Sequence, residues 1–162
     1  MIAGIDPSLS RTGVVVIDAD GKVKRDLVLT SDPKDNLIDR ICRIGDDANL
    51  FLWDCRLVVI EEVPYKAKGR IVDLAELVGA LIYIFAKTDR AVILVHPLTA
   101  AKAVLGRAPM NKKERHELAR KVLKTDLKGD LLDAYILALY GLKHWRKKND
   151  NMRRHNRNTQ DL

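Results

Sequence analysis

Four carboxylates stand where a carboxylate is costly. Asp6 closes the short apolar run from Ile2, Glu61 closes the run Leu57–Ile60, and Asp130 and Asp133 open the last helical stretch. Acids buried near one another are driven to protonate unless cations pair with them. A divalent ion answers this for all four, and an all-oxygen set suits Mg²⁺, with Mn²⁺ able to substitute, rather than zinc. Four carboxylates can hold two ions about 4 Å apart, the arrangement for in-line displacement at a phosphodiester. Taken singly, the acids have plainer readings: Asp6 before Pro7 as a turn former, Asp130 as a helix cap, Asp133 as a first-turn acid. Glu61 has no such role, but its neighbour Glu62 faces the other way on a strand, and strand chemistry alone does not choose between them.

The elements that must position these acids follow from pattern. Ile2 to Asp6, Thr12 to Asp18 and Lys22 to Thr30 read as three antiparallel strands, the latter two joined by an Asp20-Gly21 turn. Residues 34 to 54 carry Leu37, Ile41, Ile44, Ala48 and Leu52 at helical spacing, with Cys42 near the edge of the apolar face. Leu57 to Ile60 is continuously apolar, as expected of a strand covered on both faces and reached through the preceding helix. Ala91 to Val95 reads as a fifth strand, closed by His96-Pro97 and followed by a short helix from Leu98 to Leu105. Lys112 to Lys124 is helical, with Leu118 and Val122 one turn apart. Leu131 to about Lys147 is the last helix. Asp130 and Asp133, three residues apart, share one face and can point together toward the sheet.

The helix from Ile71 to Phe85 is too apolar for one sheet to cover. Leu74, Val78, Leu81 and Phe85 form one face, and its outer flank, Leu77 and Ile84 included, is expected at a subunit interface.

At 162 residues the chain can bury one sizeable core, so a single domain over 1–147 is expected, followed by a basic, flexible tail over 148–162. Lys and Arg number 29 against 22 acids, a formal charge of +7 that favours a polyanionic partner. Cys42 and Cys55 lack zinc-site spacing and read as core thiols. No basic leader or membrane-length apolar run occurs, and a reducing, cytoplasmic location with no membrane partner is expected.

Three segments together, Gly4-Ile5-Asp6-Pro7-Ser8 with Thr12-Gly13, Val59-Ile60-Glu61-Glu62-Val63, and Asp130-Leu131-Leu132-Asp133-Ala134, resemble the acidic motifs of the RuvC-type Holliday junction resolvases. The likeness extends through His96-Pro97 to Gly106 and the lysines near Lys112. It implies a ribonuclease H-like α/β fold with a five-stranded mixed sheet flanked by helices. It also implies a homodimer that nicks opposed strands of a four-way DNA junction. By this resemblance the metal ligands are Asp6, Glu61, Asp130 and Asp133, which places Glu61 rather than Glu62 in the site. Lys112 matches a basic residue that contacts the scissile region, and Lys102 is a second basic candidate on the DNA face.

Lys112, Lys113 and Arg115 begin a helix where the dipole disfavours cations, so an external anion would explain them. Lys66, Lys68 and Arg70 read as a phosphate-facing loop. Two departures bear on substrate. Ser8 stands where bacterial members usually have glycine, and Pro64 where they have an aromatic residue that enters the junction centre. Tyr65 is the candidate replacement. These features suit a phage or otherwise divergent member cutting a broader range of branched DNA. The alternatives are a hydrolase of RNA:DNA hybrids, which needs only one active site, and a non-catalytic DNA-structure-binding protein, which would have no use for four acids. An actin-like ATPase would need a second domain and glycine-rich phosphate loops.

Overall fold

The computed structural model describes residues 1–63 and 71–158, with the backbone alone from residue 150. β1 (Ile2–Asp6), β2 (Thr12–Ile17) and β3 (Val23–Leu29) form the expected antiparallel meander. In the turn between β2 and β3, Asp18 Oδ1 accepts from the backbone N–H groups of Asp20 and Lys22 at 2.9 and 3.0 Å. Gly21 there has φ 86°, a region that glycine enters without a Cβ clash. Helix α1 (Leu37–Phe51) returns the chain to β4 (Leu57–Glu61), parallel to β1, and α2 (Ile71–Lys87) returns it to β5 (Ala91–Val95), parallel to β4. The sheet order is β3-β2-β1-β4-β5, a mixed sheet with β1 at its centre. Helices α3 (Pro97–Leu105), α4 (Lys112–Leu123) and α5 (Gly129–Asn158) complete the chain.

Successive strand residues face opposite sides, and both sides are covered. Leu57 and Val59 join Ile2, Val15 and Ile17 in a core with Leu132, Ile136 and Leu137 of α5. Val58 and Ile60 join Ala3, Ile5, Val14 and Val16 in a second core with Ile44 of α1 and Leu77, Leu81 and Phe85 of α2. The unbroken apolar run of β4 follows from this double cover. On the α5 side the approach is close because β1 and β2 present glycines. A Cβ on Gly4 would fall on the Ala134 carbonyl and the Ala138 N–H, and one on Gly13 would fall on the backbone of Asp130. The start of α5 is thereby seated on the ends of β1 and β2.

Several expectations need correction. Helix α1 begins at Leu37 rather than 34, because the Asn36 side chain caps it by accepting from the Asp39 N–H at 3.0 Å. Cys55 is buried but Cys42 is exposed, on the side of α1 turned from the sheet. On α4 the buried pair is Arg115 and Ala119, with Leu118 half-buried and Val122 exposed. Leu77 is fully buried and Ile84 half-buried beside Gly45, so neither lies on the outer flank of α2. That flank is the stripe Val72, Ala75, Gly79, Tyr83 and Ala86, all exposed and spaced three or four apart. Helix α5 runs past Lys147 to Asn158 without an apolar stripe, since extension of a packed helix needs no new nucleus. Among the described residues no helix is long and apolar enough to cross a membrane.

Candidate active site

Asp6 and Glu61 each lie one residue beyond the Ile5–Ile60 pair of the parallel strands β1 and β4, so they sit side by side at the strand ends. The period of two puts Asp6 on the face of Ile2 and Gly4, and Glu61 on the face of Leu57 and Val59, which is the α5 face. Glu61 therefore shares the α5 face of the sheet with Asp6. Helix α5 brings Asp130 and Asp133 to these ends from its first turn and a half.

Helix α4 answers the acids with cations. Asn111 caps it, accepting from the Glu114 N–H at 2.9 Å, and residues 112, 115 and 116 then share the face turned to α5. Lys112 Nζ lies 2.9 Å from Asp133 Oδ2, 3.7 Å from Asp130 Oδ1 and 3.9 Å from Asp6 Oδ2. His116 Nε2–H donates to Asp133 Oδ2 at 3.0 Å. Arg115 Nε is 2.9 Å from Asp133 Oδ1, an ion pair whose geometry is not that of a hydrogen bond, and neither atom has another hydrogen-bond partner. Arg11 adds a looser contact to Asp130 at 3.5 Å.

The acids respond differently to their surroundings. Burial, with Glu61 and Asp133 close by, pushes Asp6 up to about 8, against the pull of Lys112. Burial also raises Glu61, with Arg115 the chief counterweight. Asp133 is buried too, but Arg115, Lys112 and His116 together bring it below the usual aspartate range. Lys112 is raised: desolvation would lower it, but its bond to Asp133 and the charges of Asp133, Asp6 and Asp130 prevail.

The site therefore wants positive charge. Among the described residues no three acids or histidines are already gathered tightly enough to hold an ion. Three carboxylates gather instead round the Lys112 ammonium, a stand-in cation, and Asp6 remains short of charge compensation even so. The donor set fits a hard divalent ion, for which Asp6, Glu61, Asp130 and Asp133 would supply the oxygens.

The segment after Asp6 is tied down locally. Thr12 Oγ1–H donates to the Ser8 carbonyl at 2.6 Å and accepts from the Ser8 N–H at 3.0 Å. Arg40, buried on α1, donates to Ser31 Oγ at 2.9 Å and to the Leu9 carbonyl at 3.0 Å. Of the basic residues expected on a DNA face, Lys102 and Lys113 are exposed, but Arg115 is buried against Asp133 and turned from solvent. Pro64, Tyr65, Lys66, Lys68 and Arg70 lie outside the described residues. Neither Arg40 nor His116 stands among the residues expected from sequence. The spacing of 112, 115 and 116 on one helix and 130 and 133 on another was the available signal for His116, whereas Arg40 carried none.

Known proteins resemble this chain over most of its length. The family model for crossover junction endodeoxyribonuclease RuvC matches residues 2–140. The chain is 26% identical over 148 residues to the crossover junction endodeoxyribonuclease RuvC of Parasynechococcus marenigrum strain WH8102, covering 86% of this chain and 96% of that protein. Thermus thermophilus RuvC has a similar structure, with a TM-score of 0.74 at 23% identity over 91% of this chain and 96% of that one. The same protein in complex with Holliday junction substrate gives 0.74 at 20% identity, over 90% and 94%. The fowlpox virus resolvase with its substrate Holliday junction DNA gives 0.58 at 13%, over 89% and 99%. The fold is thus ribonuclease H-like, as the five-stranded order implies.

Proposed function

Because this chain belongs to the RuvC family of crossover junction endodeoxyribonucleases, we propose that it nicks strands of four-way DNA junctions with a divalent cation held by Asp6, Glu61, Asp130 and Asp133. One observation carries the reading: two adjacent strand ends and one helix start bring four acids together, and the protein's own ammonium sits among three of them. The preferred ion is Mg²⁺, with Mn²⁺ able to replace it. When bound, the ion supplies activation of an attacking water and neutralisation of the phosphate that is cut.

The chain's own residues do the rest. The strand ends carry Asp6 and Glu61, α5 carries Asp130 and Asp133, and Lys112, more than half exposed, meets the scissile phosphate in this reading. Lys102 and Lys113 contribute phosphate contacts that position the DNA without reading its sequence. Tyr65 takes the role of the family's aromatic wedge in this reading, and Lys66, Lys68 and Arg70 add further phosphate contacts. Branch shape then outweighs sequence, and three-way and forked DNA are cut as well. Paired cuts call for two sites related by symmetry, which a homodimer through the outer stripe of α2 provides.

The test is incubation with a four-way junction, a fork, an RNA:DNA hybrid and a linear duplex, each with chelator, Mg²⁺ or Mn²⁺. Metal-dependent nicking of the junction, lost in Asp6→Asn, Glu61→Gln, Asp130→Asn and Asp133→Asn with binding retained, is the expected result. Full activity in chelator, or wild-type rates in two of the four variants, would overturn it. Preference for the hybrid would reassign the substrate.

A further inference from the structure

Asp133 is the most enclosed of the four acids, with a side chain 2% exposed, and both its oxygens are engaged. The partners differ in kind. Lys112 reaches Oδ2 from a long stem that is 54% exposed, and it can withdraw into solvent when another cation enters. Arg115 holds Oδ1 from the interior side of α4, 11% exposed and one turn before the buried Ala119. With Glu61, Pro97, Ala100, Asp133, Ile136 and Leu137 it lines a small space of about 10 Å³, barely the minimum for one water. Arg115 Nε and Asp133 Oδ1 are both buried without a hydrogen-bond partner, and their ion pair is the contact that joins them.

We infer that Arg115 is a positioning residue of the acidic centre, holding Asp133 from inside so that its carboxylate keeps its place when Lys112 withdraws. The inference rests on the reading of the four acids as a divalent-cation site. It also sets Arg115 apart from the DNA-facing set, because its side chain is buried against a carboxylate. His116 shares the task at Oδ2, where its ring bonds the same oxygen as Lys112. Partners that orient a ligand in this way typically contribute about 10- to 100-fold to metal affinity.

The sign of the effect is diagnostic. A neighbouring cation that did nothing but repel a dication would, once removed, leave the ion bound more tightly. Loss of a positioning contact leaves it bound more weakly. The experiment is a Mn²⁺ titration of the full chain without DNA, followed by electron paramagnetic resonance, for wild type, Arg115→Gln, Arg115→Lys and Asp133→Asn, with thermal melting of each. Arg115→Gln should melt cooperatively and bind Mn²⁺ about ten-fold or more weakly, with Arg115→Lys between it and wild type. Equal or tighter binding in a folded Arg115→Gln overturns the proposal. If that variant does not fold, Arg115→Lys decides: several-fold weakening supports the positioning role, and wild-type affinity overturns it. A wild-type chain that binds no Mn²⁺, or binds it no better than Asp133→Asn, defeats the metal reading itself and the inference with it.

Discussion

The Lys112 ammonium lies 2.9 Å from Asp133 Oδ2, with Asp130 and Asp6 at 3.7 and 3.9 Å, so a lysine stands where the carboxylates converge. A dication entering this cluster must break those ion pairs. Lys112→Met is therefore expected to bind Mn²⁺ more tightly than wild type in the absence of DNA, by a few-fold, while cleaving junctions at least about ten-fold more slowly for want of the cation at the phosphate. Calorimetric titration and single-turnover cleavage measure the two effects separately. Weaker metal binding in this variant would show that the ammonium supports the cluster rather than competing for it.

Asp6 gives the metal-free protein a pH dependence with a definite sign. Its folded-state pKa of about 8 stands above the ordinary 3.8, because burial and the neighbouring Glu61 and Asp133 disfavour the charged form. Between those values the folded chain holds a proton that the unfolded chain has lost. The contribution of Asp6 to stability thus falls as pH rises through the window and levels off above about 8. In chelator, the Tm of wild type should drop relative to Asp6→Asn between pH 5 and pH 8, and Mn²⁺ binding near pH 7 should release a proton. Parallel Tm curves for the two proteins, with no proton release, would contradict the assignment.

How much of this was legible in the sequence depends on the range of the interaction. The meander, the doubly covered β4 and the shared face of Asp130 and Asp133 follow from local alternation and helical spacing, and all three appear in the structure. The assembly of the four acids rests on long-range pairing, and a family resemblance supplied what spacing could not. Arg115 shows the limit. A cation at a helix start reads as solvent-facing, and only the packing of α4 on α5 turns it inward to Asp133. Leu77 and Tyr83 show another, since on a helix apolar nearly all round the sequence cannot say which flank meets the sheet.

Gly4 couples the core to the site. Its bare Cα lets α5 settle on β1, and a methyl group there would strike the Ala134 carbonyl and the Ala138 N–H, both backbone atoms that cannot rotate away. Gly4→Ala should cost about 1–3 kcal/mol or more by overpacking. Because α5 carries Asp130 and Asp133, cleavage should fall further than the lost stability explains at temperatures where the variant stays folded. Urea denaturation and cleavage rates on the same preparation would show this, and wild-type values for both would mean that α5 can shift without consequence for the acids.

Leu77 and Ile84 face inward, so the surface of α2 open to a second copy of the chain is its outer stripe. Val72 and Tyr83 are each 64% exposed, with Ala75, Gly79 and Ala86 completing one continuous stripe along α2. The small residues leave room for a second helix to approach, and a Cβ on Gly79 would meet nothing within 4 Å in the single chain. Val72→Glu and Gly79→Glu should therefore leave the monomer folded while weakening association, whereas a charge at Leu77 would enter the core and unfold the chain. Sedimentation of wild type at micromolar concentration should give twice 18.3 kDa, and the two stripe variants should shift toward 18.3 kDa with an unchanged circular dichroism spectrum. On a four-way junction the variants should convert paired nicks into single, uncoupled ones, because each cut then depends on a separately bound subunit. A wild-type chain that stays monomeric on and off the junction would rule out the stripe as an interface.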